Sequence, residues 1–109
     1  MEEKEYRKLI DGVYKKLSIA FEQVDPDIVE FETSQGSGIL LFADGTKCIL
    51  STQPSTRQLW LAAASKGIAF HFNYNPTQDT WFDDKNLGIE LFSFLKKLVL
   101  EQTKLELSF

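Results

Sequence analysis

The side chains of this chain that are best suited to chemistry are carboxylates. Between Leu17 and Thr46 the sequence contains six Asp or Glu residues and no Lys or Arg. If a helix extends to Glu22, Asp11 lies on the same helical face, since positions eleven residues apart differ by only about 20° around the axis. The carboxylates that we expect to act together are Asp11, Glu22, Asp25, Asp27, Glu30 and Glu32.

Oxygen ligands without Cys or His partners suit hard or labile cations such as Ca²⁺, Mg²⁺, Mn²⁺ and iron ions. Such a set lacks the fixed geometry of a closed cage, so it predicts weak, open sites in which water completes the coordination. Two plainer interpretations stay open. The acidic face can serve solubility alone, and Asp11 can pair with Lys15 one helical turn further on.

A tryptophan in the middle of the chain is the second notable feature. In "QLWLAA" the residues Leu59 and Leu61 alternate with Gln58 and Trp60, as in a β-strand with one face in the core. If the leucines are buried, Trp60 points the other way. Tryptophan is enriched at binding hot spots, so we expect a largely solvent-accessible Trp60 that anchors a partner-binding face. The alternative is a core tryptophan covered by another element. The residues expected to flank it are Ser51, Gln53, Arg57 and Gln58.

The other reactive residue types are isolated. Cys48 falls between aliphatic residues and has no second cysteine in the chain, so we expect a buried, inert thiol. His71 is the only histidine, and we expect a structural role for it. The sequence contains no recognisable nucleophile–base pair, so we assign no catalytic residues and expect a protein that is not a conventional enzyme.

Length and composition restrict the function classes further. A chain of 109 residues predicts one domain, spanning residues 1–109. Its net charge of −4 argues against nucleic acid as a partner. No apolar run approaches the ~20 residues that a bilayer requires, so we expect no membrane partner. One cysteine and an N-terminus unlike a signal peptide or a transit peptide favour the cytoplasm, with a processed organelle protein as the alternative.

The pattern of apolar residues predicts an α+β fold. Residues 4–24 show helical periodicity ending at Pro26, and a second helix is predicted from an N-cap at Asn86 to about Lys104. Between them lie short strands separated by turns, including an Asp-Gly hairpin at Asp44. This order predicts a two-layer sandwich with both helices on one face of an antiparallel sheet. The tail "LELSF" is predicted to pack against the helix layer.

Taken together, these segments resemble the frataxin family of bacteria and mitochondria over nearly the whole chain. "GILLFADGTKCIL" is similar to the family's hairpin, and "STQPSTRQLWLA" to its pattern of Gln, Pro, then Gln, aliphatic residue, Trp and Leu. "FHFNY", "DTW" and "GIELFSFLKKLV" resemble the later strands and the last helix. The chain departs from the family at Ser51, where an Asn is usual, and at Ser18–Ala20, where relatives often carry paired acids.

The resemblance implies an iron-binding accessory protein of iron–sulfur cluster assembly. It implies weak surface binding of Fe²⁺ or Fe³⁺, with other divalent cations as alternatives. It also implies docking on the cysteine desulfurase and scaffold complex through the carboxylates named above and the sheet face that carries Trp60. We expect a monomer, with iron-dependent oligomers as an alternative. Two rival functions stay open: a metal-independent interaction module with an acidic docking ridge, and a ferroxidase, an activity ascribed to some of the family.

Overall fold

A computed structural model describes all 109 residues of the chain. Its helices are α1 (Glu3–Phe21) and α2 (Leu91–Thr103), and its strands are β1 (Val29–Ser34), β2 (Ser37–Phe42), β3 (Lys47–Gln53), β4 (Gln58–Ala63), β5 (Ile68–Asn75) and β6 (Thr80–Asp83). The six strands form one antiparallel sheet in the order of the sequence. Neither helix has the length and hydrophobicity needed to span a lipid bilayer. The predicted α+β architecture, with helices at both ends of the chain, is confirmed.

The core lies between the helices and one face of the sheet. Helix α1 buries the side chains that recur every three or four residues, from Tyr6 to Phe21. The inward positions of the strands, such as Leu40, Leu50 and Leu61, meet them, and α2 adds Leu91, Leu95, Leu98 and Val99. The buried positions alternate along β2, β3 and β4, so the opposite sheet face is left without a covering helix layer.

Two tyrosines connect α1 to turns of the sheet. The hydroxyl of Tyr14 donates a hydrogen bond to the carbonyl of Gly36 at 2.8 Å, in the turn between β1 and β2. The hydroxyl of Tyr6 bonds to the backbone of Gln53 and Gln58, which flank the turn between β3 and β4. Burial raises the pKa of both phenols, so both hydroxyls stay protonated to a higher pH than a free phenol does. Helix α1 is thus attached to two turns by specific hydrogen bonds as well as by apolar packing.

The first helix is shorter than predicted. It ends at Phe21 rather than at residue 24, and the residues up to Pro26 form turns. The carboxylate of Asp25 accepts a hydrogen bond from the N–H of Asp27 at 2.9 Å, which stabilises a turn in place of another helical turn. The helix therefore ends before Pro26 as expected, but the last predicted helical turn is replaced by non-helical turns.

The predicted start of the second helix is wrong. Asn86 is not an N-cap but a loop residue with a left-handed φ of 57°. The N-cap is Glu90, whose carboxylate accepts hydrogen bonds from the N–H groups of Phe92 at 2.8 Å and Ser93 at 2.9 Å. The intervening loop folds around the carboxylate of Asp83, and Leu87, which was expected on the helix, is 63% exposed.

The C-terminal tail packs mainly as predicted. Leu107 is buried in the core and Leu105 packs against it. Phe109 is 37% exposed, yet its ring contacts the ring of Phe92 edge to face, with 5.3 Å between centroids. The ammonium of Lys16 lies 4.1 Å from the centre of the Phe92 ring, which connects α1 to the same cluster.

Candidate functional site

The uncovered face of the sheet carries side chains in rows that run across the strands. One row contains Ser51, Trp60 and His71, which face one another in the register of β3, β4 and β5. The next row contains Gln53, Gln58 and Asn73. The parity predicted from Leu59 and Leu61 is confirmed, because both leucines are buried while Trp60 lies on the opposite face.

Trp60 is less accessible than predicted. It is only partly exposed, because the imidazole of His71 stacks on the indole with 4.0 Å between ring centroids and 8° between ring planes. The indole Nε1–H also donates a hydrogen bond to Oε1 of Gln58 at 3.0 Å. The orientation of the ring is therefore fixed by two neighbours, and one face of it is already covered.

Gln58 is the centre of a polar network on this face. Its Nε2 donates hydrogen bonds to Oδ1 of Asn73 at 3.1 Å and to Oδ2 of Asp84 at 3.2 Å. The same Asp84 oxygen lies 3.7 Å from Nδ1 of His71. The sequence missed Asn73 and Asp84. Asn73 was detectable, since it has the parity of His71, but Asp84 comes from the loop after β6 and carried no signal.

Arg57 occupies a strained position in the turn before β4. Its backbone is left-handed, with φ of 54°, and the turn Pro54–Thr56 before it is a short 3₁₀ helix. The guanidinium bonds to the carbonyls of Pro54 and Met1, the latter at 3.3 Å, and its Cζ lies 5.9 Å from the centre of the Tyr6 ring. Arg57 was predicted to contact a partner beside Trp60, but in the structure its guanidinium contacts other residues of the same chain.

A strip of apolar side chains runs beside the Trp60 row. The register of β2, β3 and β4 places Ile39, Ile49 and Ala62 side by side, and Ile49 is 38% exposed. Leu41 on β2 is exposed to the same extent, at 38%. The face thus combines an aromatic centre, an aliphatic strip and amides, a composition typical of protein-binding surfaces.

The acidic ridge, which we define as Glu22, Asp25, Asp27, Glu30 and Glu32, borders this face. Glu22 caps the C-terminal end of α1, and the two aspartates lie in the following turn. Glu30 and Glu32 lie on β1 opposite Leu41 and Ile39, so they share the face of Trp60. Glu32 is in register with the aliphatic strip, which makes the ridge and the tryptophan face one continuous surface.

Glu30 and Glu32 interact directly. A hydrogen bond between the two carboxyl groups, together with the negative charge of Glu32, raises the pKa of Glu30 above its ordinary value of 4.5. A hydrogen bond between two carboxyls requires one proton. When both carboxyl groups are ionised, they repel each other, and a cation between them would relieve that repulsion.

The predicted metal ligands are spread along the ridge. No three His, Cys, Asp or Glu side chains converge to hold one metal ion. Asp11 is separated from Glu22 by eleven residues, about 16 Å along a helix axis. It lines a cleft of 630 Å³ between α1 and the β1–β2 turn, together with Arg7 and Lys15, and it forms no ion pair with Lys15. Asp11 is not part of the ridge. Pairs of neighbouring carboxylates, as at Glu30 and Glu32, fit a labile iron ion whose remaining ligands are water.

Cys48 does not belong to the site. The thiol is buried in the core, and burial raises its pKa to about 12. A protonated, inaccessible thiol is neither a nucleophile nor a metal ligand. The prediction of a buried cysteine is confirmed.

Comparison with known proteins gives a consistent result. Residues 1–105 match the frataxin-like domain family. The chain is 39% identical to the iron-sulfur cluster assembly protein CyaY of Azotobacter vinelandii, over 98% of this chain and 94% of that protein. It is 37% identical to the protein of the same name from Pseudomonas fluorescens, with the same coverage of 98% and 94%.

Solved structures show the same fold. The structure of frataxin from Psychromonas ingrahamii superposes with a TM-score of 0.87 at 28% identity, covering 99% of this chain and 97% of that one. A crystal structure of trimeric frataxin from Saccharomyces cerevisiae in a ferrous complex gives a TM-score of 0.64 at 24% identity, over 96% of this chain and 88% of that one.

Proposed function

The chain belongs to the frataxin family, and on that basis we propose that it is an iron-binding accessory protein of iron–sulfur cluster assembly. The observation that carries this proposal is the similarity of this chain to the CyaY proteins named above, at 37–39% identity over nearly the full length of both compared sequences. In this proposal iron ions are cargo, and the protein presents them, or its own surface, to the cysteine desulfurase and scaffold complex.

The acidic ridge is the proposed iron site. Its carboxylates are exposed or half-exposed, so hydrated cations reach them without a conformational change. Glu32 raises the pKa of Glu30, so a cation placed between these two carboxylates would relieve their mutual repulsion. Water completes the coordination, and the binding is weak and poorly selective among divalent ions.

The Trp60 face is the proposed docking surface. Trp60, Gln58, Gln53 and Ser51 lie in adjacent rows of the sheet, and the aliphatic strip connects them to Glu32. A partner that covers this face also covers the edge of the ridge. A bound ion would then lie at the rim of the interface, where it could be transferred or could change the strength of docking.

A metal-independent docking module is the second candidate. It is favoured by the absence of any three-residue metal cluster. The two functions differ in what iron does to partner binding. If iron is cargo or a regulator, the Glu30→Gln/Glu32→Gln variant loses iron binding and its iron-dependent effect on the complex. If the module acts alone, partner binding is the same with and without Fe(II).

The test is a pull-down with cysteine desulfurase and scaffold, with and without Fe(II). We expect capture by the wild type and loss of capture for Trp60→Ala. Leu87→Ala is the matched control, since Leu87 is an exposed apolar residue outside the sheet. Failure of the wild type to bind either protein would overturn the proposal. Oxygen consumption under Fe(II), compared between the wild type and the double variant, tests the ferroxidase alternative.

A further inference from the structure

A tyrosine of α1 reaches the end of the sheet that carries the proposed docking surface. Tyr6 is buried, and its hydroxyl donates a hydrogen bond to the carbonyl of Gln58 and accepts one from the N–H of Gln53 at 3.0 Å. Gln53 and Gln58 face each other as the last pair of the β3–β4 ladder. The hydroxyl therefore joins the two strand ends at the point where the turn leaves the sheet.

The same tyrosine orders the turn itself. Arg57 follows the turn with a left-handed backbone, which a non-glycine residue keeps only when its surroundings hold it. Its guanidinium lies against the Tyr6 ring, and its Nε donates a hydrogen bond to the carbonyl of Met1. The Tyr6 hydroxyl thus contacts Gln53 at the start of the turn, and the Tyr6 ring contacts Arg57 at its end.

From Gln58 the contacts continue to the outer face. The Gln58 carbonyl accepts a hydrogen bond from Tyr6 on the helix side of the sheet. On the outer side, the Gln58 side chain accepts a hydrogen bond from the indole N–H of Trp60 and donates one to Asn73. Gln58 is therefore the residue through which the position of the helix can affect the orientation of Trp60. No other α1 side chain has a hydrogen bond to a residue of this network.

We propose that Tyr6 is a positioning residue for the docking surface. Its hydroxyl sets the separation of Gln53 and Gln58, and thereby the orientation of the Gln58 amide and of Trp60. Tyr6 does not touch the partner, because it is buried on the helix side of the sheet. The inference rests on the proposed function, since the docking surface is itself a proposal.

The chain offers a matched control. Tyr14 lies on the same helix, is buried, and donates one hydrogen bond to a backbone carbonyl, that of Gly36. Tyr6→Phe and Tyr14→Phe each remove one hydroxyl from the interface between α1 and a turn. Only Tyr6→Phe removes a contact with Gln58. A general effect of loosening the helix would appear in both variants.

Two measurements separate a positioning role from a structural one. The first is the hydrogen-exchange rate of the Trp60 indole N–H in the free protein, assigned by NMR with a Trp60→Phe variant. The second is the affinity for the cysteine desulfurase, calculated on the folded fraction at a temperature where every variant is mostly folded. We expect Tyr6→Phe to accelerate the exchange and to weaken binding by roughly three- to tenfold through lost pre-organisation. Tyr14→Phe should do neither.

Unchanged exchange and unchanged affinity in Tyr6→Phe, even with a lower melting midpoint, would overturn the inference. Equal effects in Tyr6→Phe and Tyr14→Phe would overturn it as well. If the wild type does not bind the desulfurase, the proposed function fails instead, and the exchange rate of the indole N–H still decides the role of Tyr6.

Discussion

At the scale of single residues, Trp60 is oriented by His71 and Gln58 in the free protein. A side chain that is already fixed loses little rotamer entropy when a partner covers it, which favours tight docking for a given contact area. Its indole N–H is occupied, so a partner would recognise the free face and edge of the ring by packing. A fixed, partly exposed tryptophan is therefore compatible with the proposed docking role.

Replacing Trp60 by Ala should separate binding from folding. We expect the free energy of unfolding to fall by only about 1–2 kcal/mol, because one stacked pair and one surface hydrogen bond are lost. Binding to the assembly complex should weaken by at least roughly tenfold, as for truncated hot spots. Urea denaturation and titration of the complex measure the two effects. A badly destabilised protein whose folded fraction binds normally would exclude Trp60 as the anchor.

The Glu30–Glu32 pair predicts a pH dependence of stability. The pKa of Glu30 is raised in the folded protein, so the folded state binds more protons than the unfolded state just above pH 4.5, and stability falls as pH rises through the folded pKa. Glu32→Gln should stabilise the protein at neutral pH, and the gain should disappear below about pH 4.5. Melting midpoints across this range are the measurement. An equal gain at every pH would point to another cause.

Strand parity predicted the positions of the site residues better than their environments. The alternation of Leu59 and Trp60 was sufficient to place the tryptophan, because a one-residue shift would bury it and expose both leucines. The stack with His71 needed the register between β4 and β5, and Asp84 needed the path of a loop. Neither is encoded in local periodicity, and His71 therefore looked like an isolated residue.

At the scale of elements, the start of α2 shows which signal was misread. Asn86 is a favourable N-cap residue by type, but Asp83 uses its carboxylate to bind the N–H groups of Lys85, Leu87 and Ile89 and so keeps this segment in a loop. Burial opposes ionisation of Asp83, yet these three hydrogen bonds prevail and lower its pKa. The capping carboxylate is Glu90, a residue type that ranks behind Asn in sequence rules.

Glu90→Ala should destabilise the protein by about 1–2 kcal/mol, the usual cost of a lost cap. Its carboxylate also accepts a hydrogen bond from the hydroxyl of Thr80 at 2.7 Å. Burial alone would raise the pKa of Glu90, but its hydrogen bonds lower it, so the difference from the wild type should shrink as pH falls below 4.5. Chemical denaturation is the measurement. Asn86→Gly is the control and should leave stability unchanged, since its left-handed backbone suits glycine.

Deleting residues 105–109 should lower the melting midpoint by roughly 10 °C or more. Leu107 is buried and Leu105 partly so, which contributes about 2–4 kcal/mol, and 1 kcal/mol shifts the midpoint of a domain this size by about 4–8 °C. Calorimetry measures the change. Phe109→Ala is the milder control, because its ring is partly exposed. A midpoint equal to that of the wild type would mean that the tail contributes no packing energy.

At the scale of the whole molecule, charge is distributed unevenly. The net charge is −4, yet the ridge collects five carboxylates at one side of the sheet, and the stretch from residue 17 to 46 has no basic residue to offset them. Their mutual repulsion is screened by salt and relieved by cations. This imbalance was readable from composition, whereas the continuity of the ridge with the Trp60 face required the register of four strands.

Divalent cations should therefore stabilise the free protein with little selectivity. We expect Mg²⁺, Mn²⁺ and Fe²⁺ each to raise the melting midpoint, since each binds the folded ridge better than the unfolded chain. The effect should be largely absent in Glu30→Gln/Glu32→Gln. Thermal melts under anaerobic conditions are the measurement, with NMR line broadening by Mn²⁺ to locate the ion. Broadening centred on His71, with the ridge unaffected, would contradict the assignment.

The strand that carries Glu30 and Glu32 pairs only with β2, so its other side is a sheet edge. Charged side chains on such an edge hinder the addition of a further strand and thus protect against aggregation. A cation on the ridge removes that protection in proportion to its occupancy. If the ridge carries iron as proposed, cargo loading and colloidal stability are opposed in this fold, and a molecule is most prone to self-association while it carries metal. On that proposal, weak binding keeps the loaded fraction small and is a condition for the protein to remain dispersed at high concentration.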